Sequence, residues 1–286
     1  MSRSILDDVN PRQAEAIAAL DGPLLIAAGA GTGKTRVITR RIANLISHGV
    51  SPWQILGITF TNKAAGEMKR RVLDLTGTTS VFVSTFHSFC AYLLRREAEA
   101  VGLCRGFTIY DADDQRAAIR AVMKSLGQKL SRGEIRDVVR LISDAKNNRV
   151  EPEIFNDHAH TSWYRLVADA YERYEELLRA NHALDFDDLL LRGLLALEKN
   201  LDIRSRYQER FTHLLVDEFQ DTNRCQYELV RLLAESHRNV CVTGDPDQSI
   251  YSWRGASPEN LFLFEEDFPE RRFVPLDQNY RSTQTI

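Results

Sequence analysis

The segment Ala28-Gly29-Ala30-Gly31-Thr32-Gly33-Lys34-Thr35 sets closely spaced glycines before a lysine and a hydroxyl. It follows the apolar run Leu24-Leu25-Ile26-Ala27 and opens a helical pattern from Lys34 to Ile46, which Gly49 ends. Glycines let a backbone curl until several N–H groups face one anion, and a helix N-terminus adds partial positive charge at the same spot. In such a loop Lys34 reaches the β- and γ-phosphates of a nucleoside triphosphate and the Thr35 hydroxyl ligates Mg²⁺. The first position of the G-x-x-x-x-G-K-T pattern is Ala28 rather than glycine, a tolerable change where only a small residue is needed. The plainer alternative is a glycine-rich turn with a chance Lys-Thr.

A second element should supply carboxylates. Leu214-Leu215-Val216-Asp217-Glu218 is an apolar strand pattern ending in two acids, at the edge where open α/β sheets bind ligands. Asp217 would hold Mg²⁺ largely through water, because that ion keeps much of its hydration shell. Glu218 would orient and deprotonate an attacking water. The alternative is a pair of solvated acids capping the next helix. Gly244-Asp245-Pro246-Asp247-Gln248 follows a further strand pattern, and Gln248 could report whether a γ-phosphate is present; by itself the segment also reads as an Asp-Pro turn. Close by, Tyr251 and Trp253 alternate along Ile250-Tyr251-Ser252-Trp253-Arg254. Every base has a π face, so such rings can grip single strands without reading sequence; core packing is the bland use of each.

These residues need a scaffold, and the hydrophobic pattern describes one. Apolar runs at Ile55–Phe60, Val81–Thr85, His213–Asp217 and Asn239–Thr243 read as strands. Helical patterns at Lys34–Ile46, Ala64–Leu75 and Cys225–Ala234 lie among them, which predicts βαβ units and a parallel sheet. Phe273–Leu276 is one more strand, with Pro275 restricting it to a sheet edge or a strand end. From Asp111 to Ala180 the period changes: Ile119, Val122, Met123 and Leu126 follow helical spacing, as do Ile135, Val138, Val139 and Ile142, and a longer stripe runs from Trp163 to Leu178. Ser131 with Glu134 marks a capping box. The fold class is α/β: a P-loop NTPase parallel sheet interrupted by an all-helical insert. The expected division is 1–107, 108–184 for the insert, and 185–286.

Composition narrows the classes. With 286 residues, 43% hydrophobic and 27% charged, the chain is globular, and disordered or fibrous readings fail. Four cysteines without a CxxC pair argue against a disulfide framework or zinc ribbon and favour a reducing, cytoplasmic setting. The N-terminus lacks a secretion signal, and no run is apolar enough to span a membrane. A net charge of −3 does not announce a nucleic-acid binder, so any such binding needs a local groove. Arg132, Arg136 and Arg140 share a helix face and could touch duplex phosphates; a solvated face balanced by Asp137 and Asp144 is the better reading. His158, His160 and His182 have no partners at zinc spacing.

The segments Asn10-Pro11-Arg12-Gln13, AGAGTGKT, ITFTNKAAGEM (58–68), VSTFHSF (83–89), LDFDDLLL (184–191), VDEFQDT (216–222), GDPDQSIYSWRGA (244–256) and LDQNYRST (276–283) resemble, in order, the motifs of the UvrD/Rep/PcrA group of superfamily 1A DNA helicases. The resemblance runs through the whole chain, although the helical insert matches in pattern more than in motif. It implies a RecA-like first motor domain that uses ATP and Mg²⁺ to move 3′ to 5′ on single-stranded DNA and open duplex at a junction, in repair or replication restart near the nucleoid. It further implies that Gln13 reads the adenine edge, with Arg36 nearby and Tyr280 stacked on the base. Gln248 then couples the γ-phosphate to the DNA groove, and Arg281 acts as an arginine finger, a device worth about 10³–10⁵ in rate. Phe60, Phe186, Tyr251 and Trp253 become base contacts, with Thr61, Asn62, His87 and Arg254 on the strand path. In the resembled family a second RecA-like domain follows, so this chain reads as an N-terminal portion with little activity alone. The helicase half of a recombinational helicase–nuclease and a non-motor ATP-gated DNA-binding module are the other readings left open.

Overall fold

The computed structural model describes residues 5–245 and 259–281. The chain divides into two compact units, Met1–Phe86 with Asn200–Ile286, and His87–Lys199.

The first unit is built on a parallel sheet of six strands. In chain order these are β1 (Leu24–Ala28), β2 (Ile55–Thr59), β3 (Phe82–Thr85), β6 (His213–Val216), β7 (Val240–Gly244) and β8 (Arg272–Leu276), arranged β3-β2-β6-β7-β1-β8. Strands β2, β6 and β7 are buried throughout, as parallel strands covered on both faces must be. On one face, α1 (Pro11–Ala18), α2 (Lys34–Ser47) and α3 (Asn62–Thr76) contribute Ile17, Val37, Ile42 and Met68 to a core that also takes Leu215 and Cys241 from the strands. Leu214, Val216, Val240 and Val242 alternate with those residues and are equally buried, with α11 (Arg224–Ala234) packed against β6. Pro275 sits on the edge strand β8, opposite Ala27.

The position of α1 is fixed by side chains of α2. Arg41 donates to the carbonyls of Ala16 and Leu20, and Asn44 donates to that of Ile17. These are carbonyls at or near the end of α1 that a helix terminus leaves without an intrahelical partner. A guanidinium in α2, almost wholly buried, thereby anchors the helix that carries Gln13.

The second unit is helical: α4 (Phe86–Arg96), α5 (Ala112–Ser125), α6 (Arg132–Asn147), α7 (Pro152–Asp157), α8 (Ser162–Ala180) and α9 (Phe186–Lys199), with α4 entering from Phe86. The Ser131–Glu134 capping box forms at the start of α6. Two three-residue strands, β4 (Thr108–Tyr110) and β5 (Ala183–Asp185), pair in parallel across the unit. They are too short to show a period in the sequence. The unit divides from the rest at 86/87 and 199/200, whereas the sequence pattern suggests 107/108 and 184/185. Both α4 and α9 fall within this unit apart from Phe86, and they approach closely at one point, where a Cβ on Gly193 would stand 2.9 Å from Cys90 Sγ.

A fully buried lysine ties this unit together. Lys146 Nζ on α6 lies 2.6 Å from Glu175 of α8, 2.8 Å from Asp185 of β5 and 2.8 Å from Asp188 of α9. Tyr174 donates to Asp185, and Arg192 pairs with Glu175. Acids outnumber bases here. Burial, and then the Asp185 charge, push Asp188 up to about 7, and the same causes push the neighbouring Asp187 up to about 6. An unfolded aspartate titrates at about 4. Both groups therefore give stability that is full below about pH 4 and lost as pH rises through these folded values. Asp185, held low by Lys146 against its own burial, stays ionised across that window. The urea midpoint of the helical unit, followed by Trp163 fluorescence with the other tryptophans replaced, should rise from about pH 8 to about pH 6. Asp188→Asn should flatten most of that rise and Asp187→Asn only its part near pH 6; a midpoint that falls over the same range would show the opposite linkage.

Among the described residues, no helix is long and apolar enough to cross a membrane. Arg132, Arg136 and Arg140 are exposed, and Arg140 pairs with Asp144 at 3.3 Å, as a solvated face does.

Candidate functional site

The loop after β1 is shaped by two glycines that nothing larger can replace. Gly31 has φ +77°, and a Cβ there would stand 2.5 Å from Asn279 Oδ1 and 2.6 Å from Arg281 Cβ. Gly33, the N-cap of α2, has φ +91°, and its Cβ would meet Gln13 Nε2 at 3.0 Å. Both conditions exclude side chains. Ala28, where the loop pattern favours glycine, is the last residue of β1 and does not adopt positive φ, so a methyl group fits. The amides of the loop and of the first turn of α2 then offer a curled row of donors at a helix N-terminus.

Gln13, which is buried, braces this loop. Its Nε2 donates to the Thr32 carbonyl at 2.8 Å, and its Oε1 accepts from the Asn10 amide at 3.2 Å. A base edge would have to use the remaining donor or acceptor of the carboxamide. Asn10 also donates to the Tyr280 hydroxyl, and the Tyr280 amide donates to the Gly31 carbonyl at 2.9 Å. Tyr280 is 55% exposed and Arg281 is exposed as well, so the ring and the guanidinium stand beside the loop with faces open to a ligand. Arg36, half-buried in the first turn of α2, is next to the same loop. Ala30 is the exposed tip, and Gly29 and Thr32 form its sides.

Across β7 from this loop, β6 ends in the acid pair. Lys34 Nζ donates to the Ala28 carbonyl at 3.2 Å and pairs with Glu218 at 3.3 Å. Asp217 accepts from the Thr243 hydroxyl at 2.6 Å and from the Thr35 hydroxyl at 3.3 Å. Burial pushes the Asp217 carboxyl above its ordinary value; the Thr243 bond opposes this. Glu218 adopts φ +54°, a left-handed conformation unusual for a side chain of this size and the kind of strain that gathers at functional sites. This turn directs the carboxylate back toward Lys34 rather than along the next helix.

Two residues here have roles that the sequence does not assign. Thr243 orients Asp217. Gln220, almost wholly buried, donates through Nε2 to Glu218 at 3.0 Å and accepts from the Asp245 amide at 3.1 Å. One carboxamide therefore joins the acid that faces the lysine to the segment that begins at Asp245. Glutamine in a D-E-x-Q run has no spacing rule that would single it out; only the contact of two strand ends gives it meaning.

Among the described residues no cluster of three His, Cys, Asp or Glu side chains could hold a metal. A hydrated magnesium site does not need one: it takes one or two carboxylates, a hydroxyl and phosphate oxygens. Thr35 with a desolvated Asp217 fits that donor set, because a cation offsets the burial that raises the carboxyl.

Among the remaining candidates, Phe60, Thr61 and Asn62 belong to the first unit, and His87 and Phe186 to the second. Phe60 is half-buried, edge-on to Phe86 at 6.2 Å, and Thr61 and Asn62 are exposed. The Thr61 hydroxyl accepts from the Ala64 amide and caps α3. In the helical unit, Phe186 is 47% exposed and meets His87 edge-on at 5.7 Å. Core packing does not describe Phe186. Gln248, Tyr251, Trp253 and Arg254 lie outside the described residues.

Comparison with known proteins adds to this geometry. The chain is 45% identical over 289 aligned positions to the ATP-dependent DNA helicase PcrA of Bacillus subtilis, an alignment that covers 100% of this chain and 39% of that protein. It is 47% identical to the PcrA of Staphylococcus epidermidis and 46% identical to that of Staphylococcus aureus, each over 99% of this chain and 39% of the relative. The chain thus spans about two fifths of the length of the curated relatives it matches. A sequence model of the UvrD/REP helicase N-terminal domain matches residues 9–269. With a phosphate loop, an acid pair and a helical insert arranged as described, and with that match across most of its length, the chain belongs to the UvrD/REP helicase N-terminal domain family.

Proposed function

We propose that this chain is the ATP-binding motor portion of a DNA helicase that moves 3′ to 5′ along a single strand and opens duplex at a junction. The observation that carries this reading is the chain of contacts Lys34–Glu218–Gln220–Asp245, which leads from the phosphate loop to the start of the GDPDQSIYSWRGA segment. A machine that converts nucleotide state into grip on DNA needs such a path.

In this reading the loop amides, Lys34 and Thr35 hold the triphosphate of ATP, and Gln13, Arg36 and Tyr280 surround its base. Thr35 and Asp217 would hold Mg²⁺, which would supply positive charge to offset that of the phosphate oxygens. Glu218 takes a proton from the attacking water, a role for which its carboxylate stands beside Lys34. Gln248 senses the γ-phosphate, and Arg281, from the segment that packs on Gly31, meets charge developing on the transferred phosphoryl group. Phe60, Phe186, Tyr251 and Trp253 stack on bases, while Thr61, Asn62, His87 and Arg254 follow the backbone. A second RecA-like domain completes the ATP site, and the whole acts in the cytoplasm, on the nucleoid, in repair or replication restart.

The test is whether nucleotide and single-stranded DNA bind this chain interdependently. Independent binding would favour a static module.

A further inference from the structure

We propose that the buried Lys146–Asp185–Asp188 cluster and the Ser143–Asn147–Asp187 contact are positioning devices that hold Phe186 outward as a base platform. The inference rests on Phe186 being a base contact and adds what keeps it in place.

The local sequence is Asp185-Phe186-Asp187-Asp188. Phe186 is 47% exposed, while Asp185 and Asp188 are each 1% exposed. This reverses the usual order, in which the ring is buried and the acids are solvated. Each flanking acid is tied into the helical unit. Asp185 accepts from Tyr174 of α8 at 3.0 Å and pairs with Lys146 of α6. Asp187 accepts from Ser143 Oγ at 2.5 Å and from Asn147 Nδ2 at 3.0 Å, both on α6. Asp188 pairs with Lys146 at 2.8 Å.

Asp185 and Asp188 also lock the backbone between them. The Asp188 amide donates to Asp185 Oδ1 at 2.7 Å, and the Asp185 amide donates to Asp188 Oδ2 at 3.2 Å. This is a capping box, with both side chains serving the other's backbone. It makes Phe186 the first residue of α9, flanked on both sides by anchored carboxylates. With the backbone held through the three acids, position 186 is kept at the exposed start of α9, and His87 meets the edge of the ring at 5.7 Å. Without that over-determination, an aromatic ring at the mouth of an apolar helix would gain by turning inward.

Lys146 is a poor handle for a test, because removing it strands three buried carboxylates and endangers the fold. Ser143 and Asn147 are better, since both donate to Asp187 from half-buried positions and neither carries a charge. Binding of a fluorescent oligo(dT) to the whole chain should be measured by anisotropy for four proteins: wild type, Phe186→Ala, Ser143→Ala with Asn147→Leu, and the combination. Phe186→Ala should weaken binding about 5- to 150-fold, the range for one base–ring stack. The anchor variant should weaken it several-fold when Phe186 is present and add nothing once Phe186 is gone. Ser143→Thr, which keeps the hydroxyl, should retain binding. Equal losses in both backgrounds would overturn the inference, because a merely structural role does not act through the ring. A strong Phe186 effect with no anchor effect would overturn it too, leaving the base contact standing. No effect of Phe186→Ala would remove both the base contact and the inference.

Discussion

Lys34→Ala should weaken binding of a triphosphate by about 3 kcal/mol, roughly a hundredfold, while the fold survives. Lys34 is buried at the N-terminus of α2, with the Ala28 carbonyl and Glu218 as its partners among the described residues. A bound triphosphate would add charge-assisted bonds to the same ammonium in a site already rich in donor amides. Removing the ammonium leaves the loop glycines, Gln13 and the Tyr280–Gly31 bond untouched. It also frees Glu218, which is 38% exposed and can be hydrated, so the folding cost should stay at about 1 kcal/mol. Titration with a fluorescent ATP analogue, alongside a thermal melt, checks both parts. Equal affinity in wild type and variant would mean that the loop does not hold phosphate.

Glu218→Gln should separate binding from chemistry. The substitution keeps the size of the side chain and its bond with Gln220, and the left-handed backbone at position 218 is no harder for glutamine than for glutamate. It removes the carboxylate proposed to accept the proton, so turnover per bound nucleotide should fall by about 10²–10⁴. It also replaces the ion pair at 3.3 Å with a weaker, uncharged contact, so that Lys34, still bonded to the Ala28 carbonyl, turns more readily to phosphate. Nucleotide should therefore bind at least as tightly as to wild type while hydrolysis drops. Measuring Kd and single-turnover hydrolysis on the same preparation distinguishes this from simple damage, which would weaken both. Unchanged turnover would assign the proton transfer elsewhere.

Much of this site is legible in one dimension. The glycine loop stands out because its positive φ at Gly31 and Gly33 needs glycine at fixed offsets, and those offsets are visible along the chain. The acid pair is legible for a related reason: a strand pattern ending in Asp217-Glu218 can only present those groups at the carboxyl edge of a sheet. The capping box at Ser131 and the edge position of the Pro275 strand follow from local rules. What stays hidden depends on which distant segments meet. Thr243 and Gln220 gain their roles only because β7 lies beside β6. Arg41 and Asn44 look like the polar side of an amphipathic helix until α1 is laid against them. Lys146 has no spacing that singles it out, yet its ammonium is wholly buried among three carboxylates. The short strands β4 and β5 are invisible because three residues cannot display a period.

The contacts from Lys34 through Glu218 and Gln220 to Asp245 give the central claim a physical form: occupancy of the phosphate loop should alter grip on DNA. The most direct test is the affinity of this chain for oligo(dT) with and without a saturating non-hydrolysable ATP analogue and Mg²⁺, together with the reverse titration. A change of several-fold is expected, and because linkage is reciprocal the oligonucleotide should shift nucleotide affinity by the same factor. Identical Kd values in both directions would contradict a coupled motor.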